Sequence, residues 1–183
     1  IKYICQAMLK IYLRVNYNYN ILKKIMSFLK DFENGVYTVL VTPFTEDNHI
    51  DYTSYFNIVD KQIDCKKNAL KGLILLGTTS ESPTLTLNER EELVKMTYEY
   101  VRTQSSSLKI IVGVGGNNTI QTLEFARYCR NYSDGFMVTV PNYNKPTQEG
   151  IFHHFVTICN HDEVKNKPII MYNIPSRCGV NME

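Results

Sequence analysis

Five short, continuous runs of apolar and β-branched residues alternate with segments of helical period, and that alternation limits what this chain can fold into. The runs are Val36–Val41, Leu73–Leu76, Ile110–Val114, Phe136–Val140 and Ile169–Tyr172. They lack the strict in–out alternation of a strand with one wet face, so they read as parallel strands covered on both sides. Helix-period stretches lie between them at about 52–66, 87–103, 119–132 and 148–160. Parallel neighbours need long crossovers, which these stretches supply. The class is therefore α/β with a parallel sheet. Two architectures satisfy it. A doubly wound five-stranded domain would be complete at this length, whereas a (β/α)8 barrel needs about 250 residues and would be cut just past its fifth strand. Periodicity leaves that choice open.

The helix starts carry their own signals. Thr86 with Glu89 reads as a capping box, and Asn118 with Gln121 as a similar pairing. Ile120, Leu123 and Ala126 fall on one helix face, as do Ile151, Phe155 and Ile158. Cys129 and Cys159 extend those two faces and read as core thiols, not nucleophiles.

Composition excludes several function classes. With 44% apolar residues the chain is not of the disordered type, and a net charge of +2 over 183 residues is too small for a nucleic-acid binder. The charge is also uneven. Residues 1–25 hold five basic side chains (Lys2, Lys10, Arg14, Lys23, Lys24) and no acidic one, so the remainder has 15 basic groups against 18 acidic ones, a net −3. Residues 1–33 read as an N-terminal extension and 34–183 as the organised domain. No window approaches the roughly 18 apolar residues of a membrane span, and no apolar core with a cleavage site marks a secretory signal. The five cysteines are odd in number, widely spaced and without a CxxC, which fits reduced thiols in a cytoplasmic setting and no zinc site. His153 and His154 are adjacent, cannot present to a metal from one helix face, and read as helix surface or interface.

In either architecture, chemistry gathers where strands end. Gly113-Val114-Gly115-Gly116-Asn117-Asn118 begins as a dinucleotide fingerprint but ends on Asn118 and follows the third strand, so it fails as one. The sequence contains neither a P-loop nor a G-x-S-x-G elbow. What remains is a set of hydroxyls and one guanidinium. Thr78 and Thr79 follow the second strand, where hydroxyls and free backbone N–H groups suit a small carboxylate. Tyr143 and Tyr172 stand near the ends of strands four and five, and Arg177 follows Pro175 in a rigid turn from which it can grip a carboxylate in a bidentate manner.

Four segments carry a resemblance. GTTSESPTL resembles the GTTGE(S)xTL signature of the dihydrodipicolinate synthase/N-acetylneuraminate lyase family of class I aldolases. VTVPNYNKPTQEG is similar to that family's TPYYNKPTQEG segment, MYNIPSRCGV to its YN(V/I)PSRTG segment, and VLVTPF to its first-strand TPF. The matches lie in order over about residues 34–183. The resemblance implies a (β/α)8 TIM barrel, here truncated after about five strands, with the barrel's usual homo-oligomer (dimer or tetramer), no cofactor and no metal. It implies that Thr79 binds the pyruvate carboxylate, that Tyr172 donates and accepts protons for Schiff-base chemistry, and that Thr78 and Tyr143 complete a hydroxyl relay, Tyr143 reaching a neighbouring subunit's site. Arg177 would hold the carboxylate of aspartate semialdehyde. GTTSE with PSRCG favours the synthase branch over the neuraminate and keto-deoxy-sugar-acid lyases, which remain the alternative within the family.

Three departures from the pattern set expectations of their own. Ser80 replaces the glycine of GTTGE, and at a left-handed position it would cost roughly 1 kcal/mol and displace Thr79. Asn142, Leu87 and Gln121 occupy the positions matching the family's lysine-feedback site, so feedback by lysine is not expected. The Schiff-base lysine belongs to the sixth strand, about one βα unit beyond Tyr172. Lys71 and Lys109 precede their strands, and Lys145 matches a non-catalytic position. These 183 residues are thus expected to hold the relay without the nucleophile, as an inactive fragment or a non-enzymatic product.

Overall fold

The computed structural model describes residues 35–65, 70–104, 106–164 and 166–183. The expected extension over 1–33, with Cys5, lies outside them. The elements in chain order are β1 (Val36–Val39), α1 (Tyr52–Asp64), β2 (Leu70–Leu75), α2 (Leu87–Thr103), β3 (Lys109–Gly113), α3 (Thr119–Cys129), β4 (Gly135–Thr139), α4 (Gln148–Asn160), β5 (Ile169–Tyr172) and the single turn α5 (Pro175–Cys178).

All five strands are parallel and pair in the order β1-β2-β3-β4-β5. That order settles the architecture. A doubly wound sheet reverses its strand order at a switch point, whereas here each strand pairs with its successor throughout, the order of a (β/α) barrel. The five strands form half of such a barrel, with Thr38 paired to Leu73, Leu73 to Ile110, Val112 to Phe136 and Phe136 to Ile169.

Strand burial follows position in the sheet. β2, β3 and β4 are almost wholly buried, as their continuous apolar runs predict, whereas Val36 and Val39 of β1 are exposed and β5 is half-buried throughout. An edge strand has a neighbour on one side only, so its apolar residues are less covered than their composition suggests. β2 also begins earlier than the apolar run, at Leu70. Gly72 lies under the Tyr37 ring, where a Cβ would come within 2.7 Å of ring carbons and 2.5 Å of the Lys109 carbonyl oxygen, so the position admits only glycine.

The helices cover one side of the sheet through the faces their periods predict. Tyr55 and Val59 of α1, Leu93, Val94 and Val101 of α2, and Ile151, Phe155 and Ile158 of α4 are buried. The capping box of α2 forms: the Thr86 hydroxyl accepts from the Glu89 N–H at 3.3 Å, and the Glu89 carboxylate accepts from the Thr86 N–H at 2.7 Å. Asn118 caps α3 by accepting from the Ile120 and Gln121 N–H groups. In α3 one expectation fails. Leu123 and Ala126 are buried, but Ile120, in the first turn, is 60% exposed.

An ionic cluster binds the N-terminal ends of the strands. Asp134, just before β4, accepts from Arg102 Nη2 at 2.7 Å and from the Ile110 N–H at 2.8 Å, while Arg102 Nη1 donates to the Leu108 carbonyl at 2.9 Å. The end of α2 is thereby joined to the starts of β3 and β4.

Cys129 is wholly buried, and burial pushes its thiol far above the ordinary range; Cys159 is pushed up to about 11 by the same cause. Cys65, at the end of α1, is exposed. Iodoacetamide at pH 8 is therefore expected to alkylate Cys65 at least about ten-fold faster than Cys129 in the folded chain. Equal rates, followed by peptide mass spectrometry, would show that the α3 face is not packed as described.

Candidate active site

The C-terminal ends of the strands are built from tight, strained turns. Of the five non-glycine residues with positive φ among the described residues, four lie in two strand-exit loops: Leu76 (55°) and Glu81 (52°) after β2, and Tyr143 (64°) and Lys145 (48°) after β4. Left-handed backbone costs an ordinary L-residue roughly 1–2 kcal/mol and persists where surrounding contacts over-determine it, most often at functional sites.

After β2, Leu76 and Glu81 bracket a 3-10 turn over Thr78–Ser80. The Thr79 and Ser80 hydroxyls both donate to the Leu40 carbonyl, at 3.0 and 2.7 Å, and Thr42 Oγ1 donates to the Ser80 carbonyl at 2.9 Å. The segment leaving β1 and the turn leaving β2 are thus laced together by three side-chain hydrogen bonds. Ser80 is not in the left-handed region; Glu81 takes the positive φ instead. The expected strain at Ser80 is therefore absent, and its hydroxyl has a use that the glycine of the motif could not have. Thr78 is half-buried and Thr79 exposed, both at the end of the sheet.

After β3, the glycines that imitate a dinucleotide fingerprint serve packing. A side chain at Gly113 would collide with the Leu76 carbonyl, and one at Gly115 with the backbone of Thr139. Both glycines admit close approach of neighbouring strands.

Tyr172 is the final residue of β5, half-buried and in register with Thr139 of β4. The following loop is closed by Asn173, whose side chain donates to Asn181 Oδ1 at 2.9 Å and accepts from the Met182 N–H at 3.1 Å. Within it, α5 carries Arg177 on its exposed side and ends at Gly179, with φ of 73°. Gln148 at the start of α4 donates to the Asn181 carbonyl at 2.8 Å, so this loop is docked to the neighbouring unit.

Thr78, Thr79, Tyr172 and Arg177 therefore share one end of the sheet, on β2 and β5 exits. Tyr143 shares that end but is 83% exposed and turned to solvent. No hydrogen bond joins Thr78, Tyr143 and Tyr172 to one another among the described residues. Among those residues, too, no group of three or more His, Cys, Asp or Glu side chains is placed to hold a metal.

Two features escaped sequence reading. His154, expected at a helix surface or interface, is buried: its Nδ1 pairs with Thr119 Oγ1 at 2.8 Å, its buried Nε2 has no side-chain hydrogen-bond partner among the described residues, and burial holds its pKa below the usual imidazole range. His153 beside it is exposed. Adjacent helical residues point about 100° apart, so one faces the sheet while the other faces out. His154 lines a cleft of about 450 Å³ with Asn117, Asn142 and Asn144, which contains none of the five predicted site residues. The second feature is the Ser80–Leu40–Thr42 lacing. Its partners are 38 to 40 residues apart, beyond the reach of any local pattern.

A half-barrel of parallel strands, each paired with its successor and followed by a helix, has the fold class of a truncated (β/α) barrel. The dihydrodipicolinate synthetase family profile matches residues 32–183, and the chain belongs to that family. Proteins named 4-hydroxy-tetrahydrodipicolinate synthase from Leptospira biflexa and Methanococcus maripaludis are 43% and 42% identical over 149 and 150 residues, 81% of this chain in each case. The chain spans about half the length of these curated relatives, 47% and 48%. The 4-hydroxy-tetrahydrodipicolinate synthase of Methylacidiphilum fumariolicum superposes with a TM-score of 0.73 at 37% identity, over 83% of this chain and 48% of that one. CdNal from Clostridium difficile, solved in complex with mannosamine, gives 0.72 at 28% identity, over 81% of this chain and 49% of that one.

Proposed function

We propose that this chain carries part of the active site of a pyruvate-dependent lyase that condenses pyruvate with aspartate semialdehyde to 4-hydroxy-tetrahydrodipicolinate, a step of lysine biosynthesis. The observation that carries the reading is the strained, laced Thr78–Ser80 turn facing the same end as Tyr172 and Arg177, in a chain 43% identical to a protein of that name. The Thr79 hydroxyl and the amides of its turn suit the pyruvate carboxylate. Tyr172, at a strand end, is placed to give and take the protons that carbinolamine and imine formation require. Thr78 would relay them, and Arg177 would take the second substrate's carboxylate through its guanidinium fork.

Tyr143 points away from this group, which supports a role at a neighbouring copy's site and with it a homo-oligomer, a dimer or tetramer. No helix of the described residues is long and apolar enough to cross a membrane; a cytoplasmic enzyme without membrane or nucleic-acid partners is the reading we adopt.

Imine chemistry needs an amine nucleophile, and Lys109, Lys167 and Lys145 are not placed to provide one. Lys109 lies by Asp134 at 3.8 Å and Lys167 donates to the Ser133 carbonyl, both at the opposite end of the sheet. Lys145 reaches the right end, but its alkyl chain lies along Gly179. We place the Schiff-base lysine beyond these 183 residues, which as they stand are then an inactive portion of the enzyme.

Borohydride trapping tests this. Pyruvate with borohydride is expected to leave no adduct on the 183-residue chain and a stable lysine adduct on a gene product continuing past Glu183. An adduct on the shorter chain overturns the placement of the nucleophile, and no adduct on either overturns the lyase reading. The likeness to CdNal keeps a second reading in view, a sugar-acid lyase. Turnover with N-acetylmannosamine and none with aspartate semialdehyde would establish it.

A further inference from the structure

The Leu40 carbonyl, one residue past β1, receives the Thr79 hydroxyl at 3.0 Å and the Ser80 hydroxyl at 2.7 Å. A carbonyl oxygen has two lone pairs, so both donors are accommodated together. The two donors differ in freedom. Ser80 is 1% exposed and anchored a second time, its carbonyl accepting from the buried Thr42. Thr79 is exposed at the site end and can turn its hydroxyl outward.

We infer that Ser80 is a positioning residue for carboxylate capture: its hydroxyl keeps the Leu40 carbonyl paired while the Thr79 hydroxyl leaves that carbonyl for an incoming carboxylate. Leu40 is buried, and an acceptor stripped of its donors there loses the desolvation cost of the group without return. With Ser80 in place, the exchange at Thr79 leaves one donor behind. The family signature has glycine at this position and lacks the second hydroxyl, so the device belongs to this chain and not to the motif. It rests on the reading of Thr79 as a carboxylate ligand.

Pyruvate and acetate titrations of the chain, followed through the amide signals of residues 77–82, test it on wild type, Ser80→Ala, Thr79→Val and the double variant. Ser80→Ala is expected to weaken carboxylate affinity about five-fold, the scale of one neutral hydrogen bond. It should add nothing in the Thr79→Val background, because Ser80 acts only through Thr79. Unchanged affinity in a folded Ser80→Ala, or independent losses in the double variant, overturns the inference alone. A wild-type chain that responds to neither probe overturns the carboxylate reading of Thr79 and the inference with it. Should Ser80→Ala not fold, Ser80→Cys, a weaker donor of similar shape, is expected to give a smaller loss, and equal affinity there counts against the proposal.

Discussion

Tyr172→Phe is expected to lower the condensation rate by about 10²- to 10³-fold, within the range a positioned general acid–base contributes. The substitution removes one oxygen from a half-buried ring at the end of β5 and leaves the ring's packing intact. Thermal stability should therefore change little. The KM for pyruvate should also stay within about three-fold, since the carboxylate is assigned to the Thr79 turn and not to the phenol. The measurement is steady-state turnover of pyruvate and aspartate semialdehyde on a gene product shown to form the borohydride adduct. A rate within ten-fold of wild type would remove Tyr172 from the proton-transfer role. A large rise in KM with unchanged kcat would instead make it a binding residue.

The largest stability effect is expected at Phe136. It is 1% exposed in β4, paired in register with Val112 on one side and Ile169 on the other. Its N–H also donates to the Pro168 carbonyl at 2.9 Å, so the ring sits where three strands converge. Phe136→Ala should cost about 4 kcal/mol, the lost transfer free energy of the ring plus the cavity left behind. Domains of this size are stable by about 5–15 kcal/mol, so the variant would lose a large part of its stability. Ile120→Ala is the control: an apolar residue of comparable size, exposed at the start of α3, expected to change stability by less than about 0.5 kcal/mol. Denaturant unfolding of the two variants checks both values. Similar costs at the two positions would mean that the α3 surface is covered in solution or that β4 is not central.

The sheet and its helices were legible because their signals are local. Continuous apolar runs report strands buried on two faces, and β2, β3 and β4 are so buried. Capping chemistry depends on residues three apart, and Thr86 with Glu89 behaves as read. The failures have a common cause. Ile120 has the right spacing for the core, yet exposure depends on what stands opposite the first turn of α3. His154 and His153 differ by one step around α4, and only packing decides which of them is enclosed. The glycine motif predicts strain at Ser80, whereas the backbone places the positive φ one residue later, at Glu81.

The sequence by itself determined the α/β class, the five strands and the residue types that follow them, because each is read from spacing along the chain. Periodicity could not choose between a doubly wound sheet and a barrel, since both are made of the same alternating units. The unbroken β1-to-β5 pairing order chose the barrel. Tertiary structure also decided which hydroxyl holds which carbonyl: Leu40, Thr42, Thr79 and Ser80 meet only because the register of β1 on β2 brings residues some 40 positions apart to one point. Hydrogen bonds act over about 3 Å, and distance in space is set by the fold, not by the interval in sequence.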